Sequence, residues 1–414
     1  MGQNVEHYDD RETMSADERE AALLERLPHQ IAHAKANAPA FTKRLEGITP
    51  SEITSREALA GLPVTRKSEL MELQKENPPF GGFTTLQPGK LARLFSSPGP
   101  IYDPESRVAD YWRFGRALYA AGFRSGDLIQ NCFSYHFTPA ASMTEGGAAA
   151  LGCAVIPAGV GQTEMQAQTM ADLQPSGYVG TPSFLKIILE KGDELGLDLS
   201  CLKRGIVSAE PFPPSLQTFF ADRGIDVYEC YASADVGMIA YQTPAREGLV
   251  IEDDILVEIV RPGTGDPVAE GEVGEVVVTT FNEAYPLLRF ATGDLSAIMS
   301  GVSPCGRTNK RIKGWMGRAD QTTKVKGMFV HPSQVAEVLR RHPEVTKGRL
   351  VVAQESSRDL MTLRCEVNQS DDLLARAIEE SIQSICKLRG QVEFVSPNVL
   401  PNDGKVIEDV RTFE

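Results

Sequence analysis

Residues 177–235 read GYVGTPSFLKIILEKGDELGLDLSCLKRGIVSAEPFPPSLQTFFADRGIDVYECYASAD. Three short apolar runs, at 177–180, 204–207 and 225–230, alternate with helical patches at 182–195 and 213–222. The same rhythm extends upstream. A helix is predicted over Tyr111–Ala121 and a buried strand over Asp127–Phe133. Helix 140–150 follows, with Pro139 just ahead of it, where proline is tolerated. Strand 153–157 and helix 163–173 complete the run. Sustained βα alternation is the mark of a mainly parallel sheet covered by helices, an α/β fold. Ligands of such sheets gather at the carboxyl ends of the strands.

The flanks read differently. Leu23, Leu27, Ile31 and Ala34 recur at helical spacing within 17–38, with a kink expected at Pro28. Residues 1–15 read as a loose tail, and 39–95 carry no recognisable chemistry. Between 249 and 300, the runs Ile255–Val260 and Gly274–Thr280 predict a small antiparallel or barrel-like piece. After Gly317 the chain reads as a compact α+β unit. Met361, Leu363, Cys365 and Val367 share one face of a strand, Leu374, Ile378, Ile382 and Ile385 form a helical stripe, and Val392 and Phe394 mark another strand.

A chain of 414 residues accommodates two to four domains of about 100–200 residues. Lys+Arg 42 against Asp+Glu 56 leaves a net charge of −14. With no basic run, the chain is a poor ligand for nucleic acid or anionic lipid. Seven scattered cysteines without a CxxC favour reduced thiols in the cytoplasm. Residues 1–20 lack the apolar core of a signal peptide, and no run approaches the ~20 apolar residues of a membrane span.

Five polar constellations punctuate this frame. Ser208, Ala209, Glu210 and Pro211 follow a strand and can offer backbone groups to a planar base, or form an ordinary βα turn. Glu229, Cys230, Tyr231, Ala232, Ser233 and Asp235 end the next strand. A hydroxyl and a carboxylate there suit Mg²⁺ and phosphate, and Tyr231 offers a stacking face; a helix cap at Asp235 is the alternative. Asp294 behind Gly293 can hold ribose hydroxyls or sit in a plain turn. Arg318 and Asp320 offer a guanidinium fork, or a surface ion pair of small effect. Lys405, in Pro401-Asn402-Asp403-Gly404-Lys405, is a mobile point charge or a solvated lysine.

Taken in order, these motifs resemble the adenylate-forming superfamily, and within it the phenylacetate–CoA ligase branch. The likeness runs over nearly the whole chain: 38–44, 62–69, GTPSFLKI at 180–187, SAEPF at 208–212, YASADVG at 231–237, TGDL at 292–295, CGRT at 305–308, GRAD at 317–320 with KVKG at 324–327, HPSQVAEVL at 331–339 and LPNDGK at 400–405. The resemblance implies a large domain, 1–317, and a small mobile domain, 318–414, hinged near Asp320. It implies ATP, Mg²⁺ and coenzyme A as cofactors, and a small aromatic or arylacetic acid as substrate. A homodimer is left open. Ser208–Pro211 and Glu229–Tyr231 would frame adenine, Asp235 would help hold Mg²⁺, and Asp294 and Arg318 would meet the ribose and phosphate. Lys405 would bridge the attacking carboxylate and the α-phosphate, and Gly327 would approach pantetheine. Phe133, Tyr135, His136 and Phe137, with Ala158, Gly159 and Gly161 as a second wall, would line the acyl pocket, where His136 could act in catalysis or only pack.

One stretch departs from the family pattern. A Ser/Thr/Gly-rich phosphate loop ending in lysine is replaced by Ser96-Ser97-Pro98-Gly99-Pro100-Ile101-Tyr102-Asp103. Ser96, Ser97 and Gly99 remain as phosphate ligands, but two prolines remove N–H donors and the lysine is gone. Two alternatives follow: transfer of the acyl group to an amine or carrier protein, or a weakened homologue that only binds acyl-adenylate or acyl-CoA.

Overall fold

The computed structural model of the chain describes residues 7–98, 100–319, 323–325, 328–355, 358–401, 403 and 405–411. Asp320, Gly99 and Gly327 lie outside the described residues. The chain divides into two compact units, Met1–Val257 with Val278–Phe290 and Met299–Gly314, and Glu258–Val277 with Ala291–Ile298 and Trp315–Glu414.

The elements run α1 (Ala16–Asn37), α2 (Pro39–Arg44), α3 (Arg56–Ala60), β1 (Thr65–Arg66), α4 (Lys67–Glu76), β2 (Arg93–Ser97), β3 (Ile101–Glu105), α5 (Gly115–Ala120), β4 (Leu128–Asn131), α6 (Ala140–Leu151), β5 (Ala154–Pro157), α7 (Thr163–Leu173), β6 (Gly177–Gly180), α8 (Pro182–Leu195), β7 (Arg204–Val207), α9 (Pro214–Ala221), β8 (Asp226–Ser233), β9 (Gly237–Tyr241), β10 (Leu249–Ile251), β11 (Ile255–Val260), β12 (Gly274–Thr280), β13 (Phe290–Ser296), β14 (Ile298–Met299) and β15 (Arg311–Ile312). Then follow β16 (Thr323–Val325), β17 (Met328–Val330), α10 (Pro332–Arg340), β18 (Val345–Glu355), β19 (Arg358–Val367), α11 (Asp372–Cys386), β20 (Gln391–Val395) and β21 (Ile407–Asp409).

Nine strands form one sheet in the order β14-β15-β10-β9-β8-β7-β6-β4-β5. From β5 to β8 every pairing is parallel. From β8 through β9 and β10 to β15 the pairings are antiparallel. The chain runs from β4 outward to β5 and returns on the other side of β4 as β6, so the strand order reverses there, and such crevices receive ligands. Both faces are covered. Ile129, Val179 and Ile206 point to a core with Phe114 and Leu118, whereas Tyr178 and Val207 face Leu185, Ile188 and Phe220.

Gly177 shows how tightly β6 is packed. A Cβ there would lie 2.0 Å from the buried Phe123 ring. Gly177→Ala is expected to destabilise the protein by about 1–3 kcal/mol, read as a lower urea midpoint. An unchanged midpoint would mean that the ring moves aside freely.

Two expectations change. The helix predicted from Tyr111 begins at Gly115, because the Asp110 carboxylate accepts hydrogen bonds from the N–H groups of Phe114 and Gly115, both at 2.8 Å, and Arg113 has φ of 61°. The helix expected over 17–38 is α1, with Pro28 inside it and a capping box of Ser15 and Glu18 at its start. From residue 7 onward the expected tail is instead tied in by charge. Glu12 is fully buried, Asp9 accepts from Arg116 at 2.9 Å, and Arg19 meets Asp253 at 3.1 Å.

Asp254 belongs to this network. Burial opposes its ionisation, but the hydrogen bond and charge of Arg11, joined by Arg26, outweigh burial and hold its pKa down at about 2. A depressed carboxylate contributes stability above its ordinary value of 3.8 that is lost as pH falls toward about 2. Arg26→Gln is therefore expected to weaken the fall in thermal midpoint across that window, while leaving the profile between pH 6 and 8 parallel to wild type. Equal acid profiles would remove Asp254 from the cause.

Leu249–Ile251, Ile298–Met299 and Arg311–Ile312 extend the large sheet, and β1, β13, β12 and β11 form a four-stranded sheet where the small β-rich piece was expected. In the second unit β20-β19-β18-β21 form a sheet, with β18 and β19 antiparallel. Met361, Leu363, Cys365 and Val367 pack against Ile378 and Ile382 of α11, as their alternation predicts.

Candidate active site

Motifs expected from the sequence sit at the carboxyl ends of β7 and β8, adjacent parallel strands. After β7, Ser208 Oγ donates to the Cys230 carbonyl at 2.8 Å, tying the two motifs together. Ala209 has φ of 70°, and Ala209, Glu210 and Pro211 are exposed. Glu210 accepts from the Ser183 N–H at 2.6 Å. On β8, burial pushes the Glu229 carboxyl above its usual range and the Cys230 thiol up to about 12. A thiol so protonated is structural at neutral pH. Tyr231, Ala232 and Ser233 are half-buried.

Asp235 lies in the turn between β8 and β9, and its side chain is fully buried. Its Oδ2 accepts from Lys67 Nζ at 2.6 Å and lies 3.4 Å from Ser233 Oγ. Its Oδ1 has no hydrogen-bond partner. Lys67 is the residue the sequence missed, in a stretch read as carrying no chemistry. The signal was present as a lone lysine in LPVTRKSEL, at 62–70, but its partner is 168 residues away.

The 96–103 stretch is a hairpin rather than an open loop. β2 and β3 pair from Arg93↔Glu105 to Ser97↔Ile101, so the backbone groups that face the partner strand are used within the hairpin. Ser97 is buried, and its Oγ donates to Asp103 Oδ2 at 2.9 Å. Asp103 is itself wholly buried, and its Oδ1 has no hydrogen-bond partner. Burial, followed by the charge of Asp235, pushes the Asp103 carboxyl well above its ordinary range. The Ser96 N–H donates to the Phe137 carbonyl at 2.8 Å, so the hairpin is joined to the loop after β4.

The loop that holds Phe133–Phe137 follows β4 at the strand-order reversal. Phe133 is buried, whereas Tyr135, His136 and Phe137 are exposed, and Phe137 has φ of 61°. Tyr135 Oη donates to Glu145 Oε1 at 2.9 Å and accepts from Asn131 Nδ2 at 3.0 Å. A Cβ added at Gly159 would lie 3.7 Å from the Tyr135 ring, so Gly159 and Tyr135 are neighbours. Gln166 Nε2 holds the carbonyls of Ala158 and Gly159 at 3.2 and 2.9 Å. Gly161 is exposed, with open space around an added Cβ.

In the second unit, Asp294 Oδ1 accepts from Arg318 Nη1 at 2.8 Å and from Trp315 Nε1 at 3.1 Å. Sequence reasoning missed Trp315. Gly293 has φ of 78°, and a Cβ there would lie 2.8 Å from the Arg318 guanidinium, so the position requires glycine. The 400–405 turn is anchored by β18. Lys347 Nζ donates to the Leu400 and Pro401 carbonyls at 3.4 and 3.2 Å, and Arg349 pairs with Asp403 and Glu408. The Lys405 N–H donates to Asp403 Oδ1 at 3.1 Å, and Lys405 is exposed, bordering a cavity of about 200 Å³ with Arg261, Asp266 and Lys347.

A larger cavity of about 950 Å³ in the first unit is lined by Arg26, Asp110, Arg113 and Asn282, and by none of the residues expected from the sequence. It opens on the ion-pair network of the N-terminal segment, and the strand-end motifs mark the better chemical candidate. Among the described residues no helix is long and apolar enough to cross a membrane.

Residues 107–282 match the family AMP-binding enzyme, and 327–410 match the AMP-binding enzyme C-terminal domain. A phenylacetate-coenzyme A ligase of Aromatoleum evansii is 30% identical over 93% of this chain and 92% of its own. The protein of that name from Thermus thermophilus is 32% identical over 86% of this chain and 83% of its own. A crystal structure of 2-hydroxyisobutyryl-CoA ligase in complex with 2-HIB-AMP and CoA matches with a TM-score of 0.71 and 25% identity, covering 99% of this chain and 96% of its own.

Proposed function

Because the chain belongs to the AMP-binding, adenylate-forming enzymes, in their phenylacetate–coenzyme A ligase branch, we propose that it converts an aromatic or arylacetic acid to its coenzyme A thioester through an acyl-adenylate. The carboxylate oxygen attacks the α-phosphorus of ATP, and the bond to pyrophosphate breaks. The thiol sulfur of coenzyme A then attacks the acyl carbon, AMP leaves, and the thiol proton passes to solvent.

The observation that carries the reading is Asp235, a buried carboxylate at the end of β8 with one oxygen unpartnered, beside strand-end turns suited to a nucleotide base. Such a hard oxygen fits Mg²⁺, which would offset phosphate charge there. In this reading Ser208–Pro211 and Glu229–Tyr231 frame adenine, Asp294 holds the ribose hydroxyls with Arg318 beside it, and Lys405 meets the developing charge at the α-phosphate. Residues 318–414 act as a small domain that turns about Asp320 between the two half-reactions, bringing Gly327 to the pantetheine. Phe133, Tyr135 and Phe137 line the acid's ring, and His136 is a candidate polar contact at its rim. The compartment is the cytoplasm, in keeping with the free cysteines.

The hairpin at 93–105 favours a second reading, a weakened homologue that binds acyl-adenylate without making it. Pyrophosphate release with a panel of aromatic acids separates the two. The proposal expects acid-dependent release and consumption of coenzyme A. AMP binding without release from any acid would favour the weakened homologue, and release without coenzyme A consumption would point to an amine or carrier-protein acceptor.

A further inference from the structure

Lys67 has no task in adenylate formation as set out above, yet it holds the carboxylate on which that chemistry depends. Its Nζ lies 2.6 Å from Asp235 Oδ2, with the lysine side chain 25% exposed and the aspartate fully buried. Lys67 is the first residue of α4, and α4 is fastened to the β2–β3 hairpin. Gln74 donates to the Tyr102 carbonyl and accepts from the Tyr102 N–H, both at 2.8 Å. The ammonium is thereby held near the two buried carboxylates, Asp235 and Asp103, each of which keeps one oxygen without a hydrogen-bond partner.

The hairpin itself is a poor phosphate cradle. Ser96–Asp103 contains no lysine or arginine, Pro98 and Pro100 have no N–H, and the Ser96 and Tyr102 N–H groups already donate to the Phe137 carbonyl and the Gln74 side chain. A triphosphate brings several negative charges, of which a divalent cation offsets only part. An ammonium on a flexible four-carbon stem is suited to exchanging one anionic partner for another.

We propose that Lys67 is a catalytic residue of nucleotide activation: its ammonium guards Asp235 in the ligand-free protein and passes to the β- and γ-phosphates of ATP when Asp235 takes up a divalent cation. The inference rests on the adenylate-forming reading and assigns this chain's missing phosphate-loop charge to an element far from that loop in sequence. Two consequences separate it from a structural ion pair. Lys67 competes with a cation for Asp235 in the absence of nucleotide. It also favours ATP and pyrophosphate over AMP, which lacks the phosphates it serves.

The experiment is calorimetric titration of wild type and Lys67→Met with ATP, pyrophosphate and AMP, each with Mg²⁺, together with binding of Mn²⁺ alone followed by electron paramagnetic resonance. In Lys67→Met, affinity for ATP and pyrophosphate is expected to fall about tenfold or more, with AMP held within about threefold. Mn²⁺ alone is expected to bind more tightly than to wild type. Equal loss for all three nucleotide ligands, or none, overturns the proposal, as does weaker Mn²⁺ binding. Should the variant fail to fold, lysine labelling of wild type read by mass spectrometry decides the matter. Lys67 is expected to react in the AMP complex and to be protected by ATP or pyrophosphate with Mg²⁺, and equal labelling overturns the proposal. Wild type that binds neither ATP nor AMP would overturn the adenylate-forming reading as well. Wild type that binds both, with Lys67 indifferent, overturns only the role of Lys67.

Discussion

In Lys405→Ala, acid-dependent pyrophosphate release is expected to fall by about two orders of magnitude, a loss of about 3 kcal/mol in the adenylation transition state. Two anions, the acid and the α-phosphate, must meet there, and fixed positive charge is most valuable where their repulsion peaks. The turn that presents Lys405 is anchored independently of its side chain. Arg349, whose side chain is 3% exposed, pairs with Asp403 and Glu408, and Lys347 holds the carbonyls before it. Removing an exposed ammonium from such a turn should spare the fold. Thioester formation from supplied acyl-adenylate and coenzyme A is accordingly expected to stay within about threefold of wild type, because a group used only in the first transition state leaves the second untouched. An equal loss in both half-reactions would remove Lys405 from the adenylation step.

The second large effect concerns stability. Arg307→Met is expected to cost about 2–4 kcal/mol, read by urea unfolding, because it removes the nearer of the two guanidinium groups that face a buried carboxylate. Arg307 Nη2 lies 2.8 Å from Glu12 Oε2, with the side chains 1% and 0% exposed. Glu12 also accepts from the Tyr8 N–H at 2.9 Å and from Tyr241 Oη at 3.1 Å, and Arg116 Nη1 lies 3.9 Å from its Oε1, contacts that soften the loss but do not match an ion pair at 2.8 Å. The double variant Glu12→Gln/Arg307→Met should recover part of the loss, since neither charge is then left unpaired. A single-variant loss below about 1 kcal/mol would mean that Arg116 or water satisfies Glu12 and that the Arg307 pair is energetically idle.

Much of the first unit was legible. Strands 177–180 and 204–207 and helices 163–173 and 182–195 fall where the apolar pattern puts them. A buried parallel strand must be apolar along its own length, and a helix packed on it must carry an apolar stripe, so both signals are local. The positions of Ser208, Glu229 and Asp235 were legible for the same reason, because a polar turn directly after a buried strand lies at the sheet's carboxyl edge. Boundaries failed where a side chain overrode the pattern, as Asp110 does in delaying α5.

Charge partners were not legible. Nothing near Lys67 in the chain points to Asp235, nothing near Glu12 points to Arg307, and the Trp315 contact with Asp294 depends on a bridge between Asp294 and Arg318. The sequence by itself determined the α/β order, the family resemblance and the residues presented at the strand ends, because those follow from local periodicity and short motifs. The tertiary structure alone decided that 93–105 closes as a hairpin over a buried Asp103, and that the ammonium nearest Asp235 comes from α4. The physical reason is range. Apolar burial imposes a period on neighbouring residues, whereas an ion pair selects its partner only after the sheet has brought distant segments within a few ångströms.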